Sequence, residues 1–173
     1  MAAICRWIDR INLVGGTIAA WLIAPLIGAM CFEVVARYVF NAPTIWAYEL
    51  AYLLTGSGWL LGMAYTLSRS GHIRIDVLYL NMPVRTRAFV DLAGYLLLLL
   101  PFILWLTSTL DDKAIAAFQS GEKTGQSAWN PPIWPFRAVF LVSFALLGLQ
   151  VVAEVLRCLR TVFGARQDQG KGP

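Results

Sequence analysis

Four apolar runs divide this sequence, and each is long enough to cross a bilayer, for which about 20 mainly apolar residues suffice. They lie near Leu13 to Ala36, Trp46 to Leu67, Ala88 to Leu110 and Phe136 to Leu159. Hydrocarbon offers no water to satisfy a backbone, so each run has to close its own hydrogen bonds as a helix. The composition agrees: 58% of the 173 residues are hydrophobic and 14% charged, well away from a soluble domain. The expected fold is an all-α membrane protein with four transmembrane helices in a single domain over residues 1–163. The tail over 164–173, rich in Gly, Gln and charge, is expected to be a disordered cytoplasmic extension. Arg6 and Arg10 precede the first run, but that run exceeds a signal-peptide core and lacks a small-residue cleavage site, so it reads as an uncleaved anchor.

The connections carry their own signals. Asn41-Ala42-Pro43 is a short turn, which makes the first two helices an antiparallel hairpin with Thr44 placed to cap the second. Pro25 is a potential kink within the first helix. Between helices 2 and 3, Ser68 to Arg87 mixes four arginines with Ile73, Ile75, Val77, Leu78 and Leu80. Too charged to span, it suits an interfacial segment lying in the headgroup layer with its apolar side down. The helical pattern from Val84 to Phe118 would extend about 50 Å, with Pro101 as a bend and Ser120-Gly121 as a stop. Trp129-Asn130-Pro131-Pro132-Ile133-Trp134-Pro135 cannot be helical throughout; it reads as a stiff extended strap with interfacial tryptophans, and Pro135 belongs to the first turn of helix 4.

The net charge of +4 is small and the basic residues flank apolar runs, which argues against nucleic-acid binding. In a four-span chain the N-terminus, the middle connection and the tail share one side, with Arg6, Arg10, Arg69, Arg74, Arg85, Arg87, Arg157, Arg160, Arg166 and Lys171. The other side holds Arg37, Lys113, Lys123 and Arg137. The positive-inside rule then makes both termini cytoplasmic.

The chemistry available is narrow. His72 is the sole histidine, so a bis-histidine haem, a histidine-based metal centre and a Ser-His-Asp hydrolase all lack parts. Cys5, Cys31 and Cys158 form no CxxC pair or metal spacing, and no glycine run matches a phosphate loop. Neither an enzyme nor a cofactor is expected. What stands out is charge beside hydrocarbon, where an ionisable group costs roughly 2.5 to 3.5 kcal/mol at mid-membrane. Glu33 and Arg37 are four apart in the favourable order, and Glu49 lies near the start of the next helix. Arg37 therefore has two possible acidic partners, Glu33 on its own helix and Glu49 across the hairpin. Near the other end, Gln150 needs a neighbouring helix, and Glu154 and Arg157 are spaced to pair. The glycines at 15, 16, 56 and 58 give helices close approach.

Two separated motifs, Arg37-Tyr38-Val39-Phe40-Asn41-Ala42-Pro43 with Trp46 and Glu49-Leu50, then Gly71-His72-Ile73-Arg74-Ile75-Asp76, resemble the small membrane subunit of tripartite ATP-independent periplasmic (TRAP) transporters. The resemblance covers Cys31 to Leu80 by motif and the other helices by architecture. It departs at Tyr48, where such subunits often carry a further acid. It implies a multi-pass protein of the bacterial inner membrane whose partners are a large TRAP membrane subunit, a periplasmic solute-binding protein and the phospholipid bilayer. The large subunit would carry solute and sodium, while the small one serves as scaffold and docking surface. The same resemblance makes Glu33, Arg37, Tyr38, Asn41, Pro43, Trp46, Glu49, His72, Arg74 and Asp76 the candidate interface or clasp residues. Independently, the sequence lacks the paired interrupted helices that mark a transporter's own site. Two rival readings are an autonomous channel lined by Glu33, Arg37 and Glu49, and a membrane anchor of a redox complex, which the single histidine weakens.

Overall fold

A computed structural model describes residues 2–69 and 83–164. The expected interfacial segment falls largely outside these residues, as do His72, Arg74, Asp76 and the tail. All regular elements described are helical apart from one isolated β-bridge.

Helices α1 (Ala2–Trp21) and α2 (Ile23–Tyr38) form one near-continuous rod, interrupted only at Leu22. Pro25 explains the interruption: it has no N–H, and its ring presses on the carbonyl one turn earlier, at Trp21. The amides of Leu22 and Leu26 keep their bonds to Ile18 and Leu22, at 3.0 and 3.3 Å, so the rod continues. It starts some ten residues before the expected boundary near Leu13, since polar positions such as Asp9 and Asn12 face another helix. The apolar stretch Ile4–Tyr38 is 35 residues, about 50 Å long and more than a bilayer core requires.

Helix α3 (Ala47–Ser68) follows the Asn41 turn, where Asn41 is left-handed with φ 51° and the Ala42 amide reaches back 2.9 Å to the Ala36 carbonyl. Trp46, not Thr44, occupies the N-cap position, and Thr44 is engaged elsewhere. Helix α4 (Val84–Ala93) passes through a π-helical turn (Gly94–Leu99) into α5 (Leu100–Ser120). The wide turn lies just before Pro101, which would otherwise clash with the carbonyl of Leu97; the Leu100 amide bonds to Tyr95 five residues back. The expected bend is thus a π-turn. Left-handed Gly121 (φ 61°) ends α5, its amide bonded to Ala117. Helix α6 (Trp134–Gly164) has Pro135 in its first turn, as expected.

Among the described residues, three helices are long and apolar enough to cross a membrane: Ile4–Tyr38, Thr86–Ser120 and Trp134–Val162. Four were expected. Helix α3 has 22 residues, about 33 Å, but Thr55, Gly56, Ser57, Gly58 and Gly62 dilute its apolarity.

Helix α6 runs antiparallel to α1 and α5 and parallel to α3, whose Tyr52 and Gly56 meet Phe136 and whose Leu67 packs with Val151. Asp9 at the start of α1 meets the far end of α6, and Arg137 at the start of α6 meets Lys113 near the end of α5. Ala64, Leu67, Ile103, Leu147 and Val151 form the principal core of α3, α5 and α6; Cys5, Ile8 and Ala153 form a second between α1 and α6. Two glycines set the spacing of the bundle. A Cβ on Gly16 would lie 2.6 Å from Tyr65 Cγ, and one on Gly56 would lie 2.8 Å from Phe136 Cζ.

Candidate functional site

The turn between α2 and α3 is organised by one carboxylate. Glu33 Oε1 accepts from Arg37 Nε at 2.8 Å and from Arg37 NH2 at 2.5 Å, one helical turn away. Its Oε2 accepts from the Thr44 amide at 2.9 Å and from the Thr44 hydroxyl. Glu33 is buried whereas the Arg37 side chain is half exposed. The same acid therefore neutralises the cation that complements the end of α2 and fixes the loop entering α3. Phe32 stacks on Trp46 with centroids 5.8 Å apart, closing the hairpin from its apolar side. Asn41 supplies the left-handed turn before Pro43, and Tyr38, Val39 and Phe40 project outward, Tyr38 being 80% exposed.

Of the two acids open to Arg37, the structure selects Glu33. Glu49 is fully buried in the first turn of α3 and accepts instead from the hydroxyl of Ser127. That serine also receives the amides of Trp129, at 3.1 Å, and Asn130, at 3.4 Å. Glu49 thus anchors the loop between α5 and α6. This loop is no extended strap. It folds back on itself, with Thr124 N to Pro131 O at 3.1 Å and Ile133 N to Glu122 O at 3.0 Å, because Gly125 and Asn130 both take positive φ. Arg137 secures its base through Glu122 at 2.6 Å and the Lys113 carbonyl at 3.2 Å.

A second polar cluster, at the opposite end, joins the first helix to the last. Asn12 donates to Gln150 at 2.6 Å, and both are buried. Gln150 in turn donates to Glu154 at 3.0 Å and to Asp9 at 3.3 Å. Arg157 bridges Glu154 and Asp9, each at 2.5 Å. The Glu154 to Arg157 pair follows from their spacing, but Asp9 and Asn12 were not singled out in the sequence. Their signal was available: three apart, they mark one polar stripe, facing the stripe of Gln150, Glu154 and Arg157.

Between α3 and α6 lies an open apolar groove of about 670 Å³, whose walls include Tyr52, Trp59, Met63, Phe136 and Phe140. Gly62 lies in it with no neighbour within 4 Å of where its Cβ would stand. Among the described residues no three of His, Cys, Asp and Glu are grouped to hold a metal.

The family model described as the DctQ component of tripartite ATP-independent periplasmic transporters matches residues 26–161. The chain is 31% identical over 102 residues to the sialic acid TRAP transporter permease protein SiaT of Haemophilus influenzae, covering 58% of this chain and 16% of that one. It is 32% identical over 92 residues to the C4-dicarboxylate TRAP transporter small permease protein DctQ of Vibrio cholerae, covering 51% and 40%. To the sialic acid small permease protein SiaQ of the same organism it is 31% identical over 77 residues, covering 44% of each. The matches span less than half the length of each relative. The chain belongs to the DctQ-component family of TRAP transporters, whose members are small membrane subunits of transporters and not enzymes.

Proposed function

We propose that this chain is the scaffold of a TRAP-type secondary transporter. It holds the large permease subunit in the bilayer and presents its outer loops to a periplasmic solute-binding protein during ion-coupled uptake. The observation that carries this reading is the α3/α6 groove. Its walls are aromatic, and Gly62, with no neighbour within 4 Å of where its Cβ would stand, leaves room for another helix at close range. Helix α3 is then a fourth span, its small and aromatic residues reflecting packing against protein instead of lipid. All helices belong to one domain in the bacterial inner membrane, with both termini cytoplasmic by the distribution of arginine.

The hairpin carrying Arg37, Tyr38, Asn41, Pro43 and Trp46 then faces the periplasm beside the Glu49-anchored loop. Exposed Tyr38, Val39, Phe40 and Tyr48 make that end a suitable surface for the binding protein. The relatives at nearly equal identity are named for sialic acid and for C4-dicarboxylate, so solute choice lies with the partners and not with this scaffold.

The test is co-expression with a tagged large subunit. Gly62→Trp should fill the groove, leave the isolated chain folded and abolish co-purification, while Trp7→Ala on the exposed surface should not. Retained assembly with Gly62→Trp would place the partner elsewhere. Sodium-dependent uptake by liposomes holding this chain alone would make it a transporter in its own right.

A further inference from the structure

We propose that the seam between α1 and α3, at the end of the bundle holding Asp9, binds the phosphate of an anionic phospholipid. A pocket of about 190 Å³ opens there, lined by Asp9, Arg10, Leu13, Tyr65, Ser68 and Arg69. Arginines 10 and 69 come from different helices and converge on it. Among the described residues, neither Arg10 nor Arg69 forms an ion pair with a carboxylate. The acid in the pocket is already engaged, since Asp9 accepts from Arg157 through Oδ2 and from Gln150 through Oδ1. Two unneutralised guanidiniums therefore share a small concavity whose single negative charge is committed to a third.

Their placement is built. The Arg69 guanidinium lies 5.5 Å from the centroid of the Tyr65 ring, and Tyr65 is seated against Gly16. Ser68 donates 2.7 Å to the Tyr65 carbonyl and completes the wall. Arg69 also complements the negative end of α3, but Arg10, well inside α1, has no such dipole to offset. A tetrahedral phosphate suits the pair, because guanidinium forks bind phosphate oxygens through paired N–H donors.

A lipid is the better source than free phosphate because the pocket is half apolar. Leu13 in its lining is 44% exposed, and Val14 beside it is 59% exposed. The seam between the same helices reopens farther along as a second, apolar pocket of about 220 Å³, bordered by Ala20, Leu26, Leu54 and Trp59. A headgroup in the first pocket leaves its acyl chain beside apolar surface.

The test uses the full chain purified in detergent, with phosphatidylglycerol, phosphatidylcholine and inorganic phosphate as probes. Phosphatidylglycerol should raise the unfolding temperature and survive as an adduct in native mass spectrometry; the other two should do neither at equal concentration. The double variant Arg10→Gln/Arg69→Gln should weaken phosphatidylglycerol binding by about tenfold or more, as expected for lost charged hydrogen bonds. Arg160→Gln, exposed and outside the pocket, should leave it unchanged. Equal stabilisation by phosphatidylcholine, or full binding by the double variant, would overturn the site. Equal binding of inorganic phosphate would overturn the lipid assignment. Should the double variant not fold, photoactivatable phosphatidylglycerol on the unaltered chain decides: labelling of peptides around Leu13 and Tyr65 supports the site, and labelling only elsewhere refutes it.

Discussion

Asn12 donates its amide to the side-chain oxygen of Gln150 over 2.6 Å, linking the first helix to the last at a point where both residues are shut off from solvent. The bond organises the surrounding charges, for Gln150 uses its own amide on Asp9 and Glu154, which Arg157 then bridges. One neutral pair thus stands between the apolar core and an ionic cluster nearer the helix ends.

Gln150→Leu should destabilise the purified chain by about 1–3 kcal/mol, because it leaves the Asn12 amide buried without its acceptor. The double variant Asn12→Leu/Gln150→Leu should cost less than the sum of the two single changes, since it removes both partners together. A double-mutant cycle on reversible unfolding in detergent measures this; additive costs would remove the bond from the account.

At the other end, the same design separates two candidate partners of Arg37. Arg37→Gln and Glu33→Gln should be non-additive in the yield of assembled complex, whereas Arg37→Gln and Glu49→Gln should be additive, as their side chains contact different groups. Ser127→Ala, on the other hand, should be non-additive with Glu49→Gln.

Glycine substitutions distinguish packing inside the chain from packing against a partner. Gly16→Ala should cost about 1–3 kcal/mol, because its methyl group meets the Tyr65 ring. Gly62→Ala should leave the isolated chain's thermal unfolding unchanged, since nothing stands within 4 Å.

Orientation is open to labelling. In a background freed of Cys5, Cys31 and Cys158, a cysteine at Gly125 should react with an impermeant reagent in intact cells. One at Trp7 should react only after the membrane is opened. The reverse pattern would invert the arginine-based topology.

What the sequence revealed and what it concealed divide along physical lines. The apolar runs and the Asn41 turn announce the helices because both signals are local. Glu33 was legible as one of two possible partners of Arg37, being one turn away, but the choice between it and Glu49 depends on the fold. Ser127 could not be matched to Glu49 by reading, since 78 residues separate them and only the fold-back of the loop brings the hydroxyl there. That fold-back was missed because two prolines in Asn130-Pro131-Pro132 suggest extension, while the reversal depends on the left-handed Asn130 beside them. Asp9 and Asn12 were passed over, although their spacing marks one polar stripe; only the fold shows that this stripe faces Gln150, Glu154 and Arg157. Helix α3 was expected to cross the membrane as a long, mainly apolar run; it has the length of a span, and its small residues lower the apolarity by which one is recognised.

The Asn12 to Gln150 bond also imposes an order on biosynthesis. Its partners are 138 residues apart, so at roughly 5–20 residues per second the ribosome needs about 7–28 s to pass from one to the other. Throughout that interval the nascent first helix carries Asp9 and Asn12 without the helix that satisfies them. Final closure of the bundle is therefore a late, post-insertion event. A chain truncated before α6 would keep these polar groups unpartnered, giving membrane quality control a means to recognise an unfinished subunit.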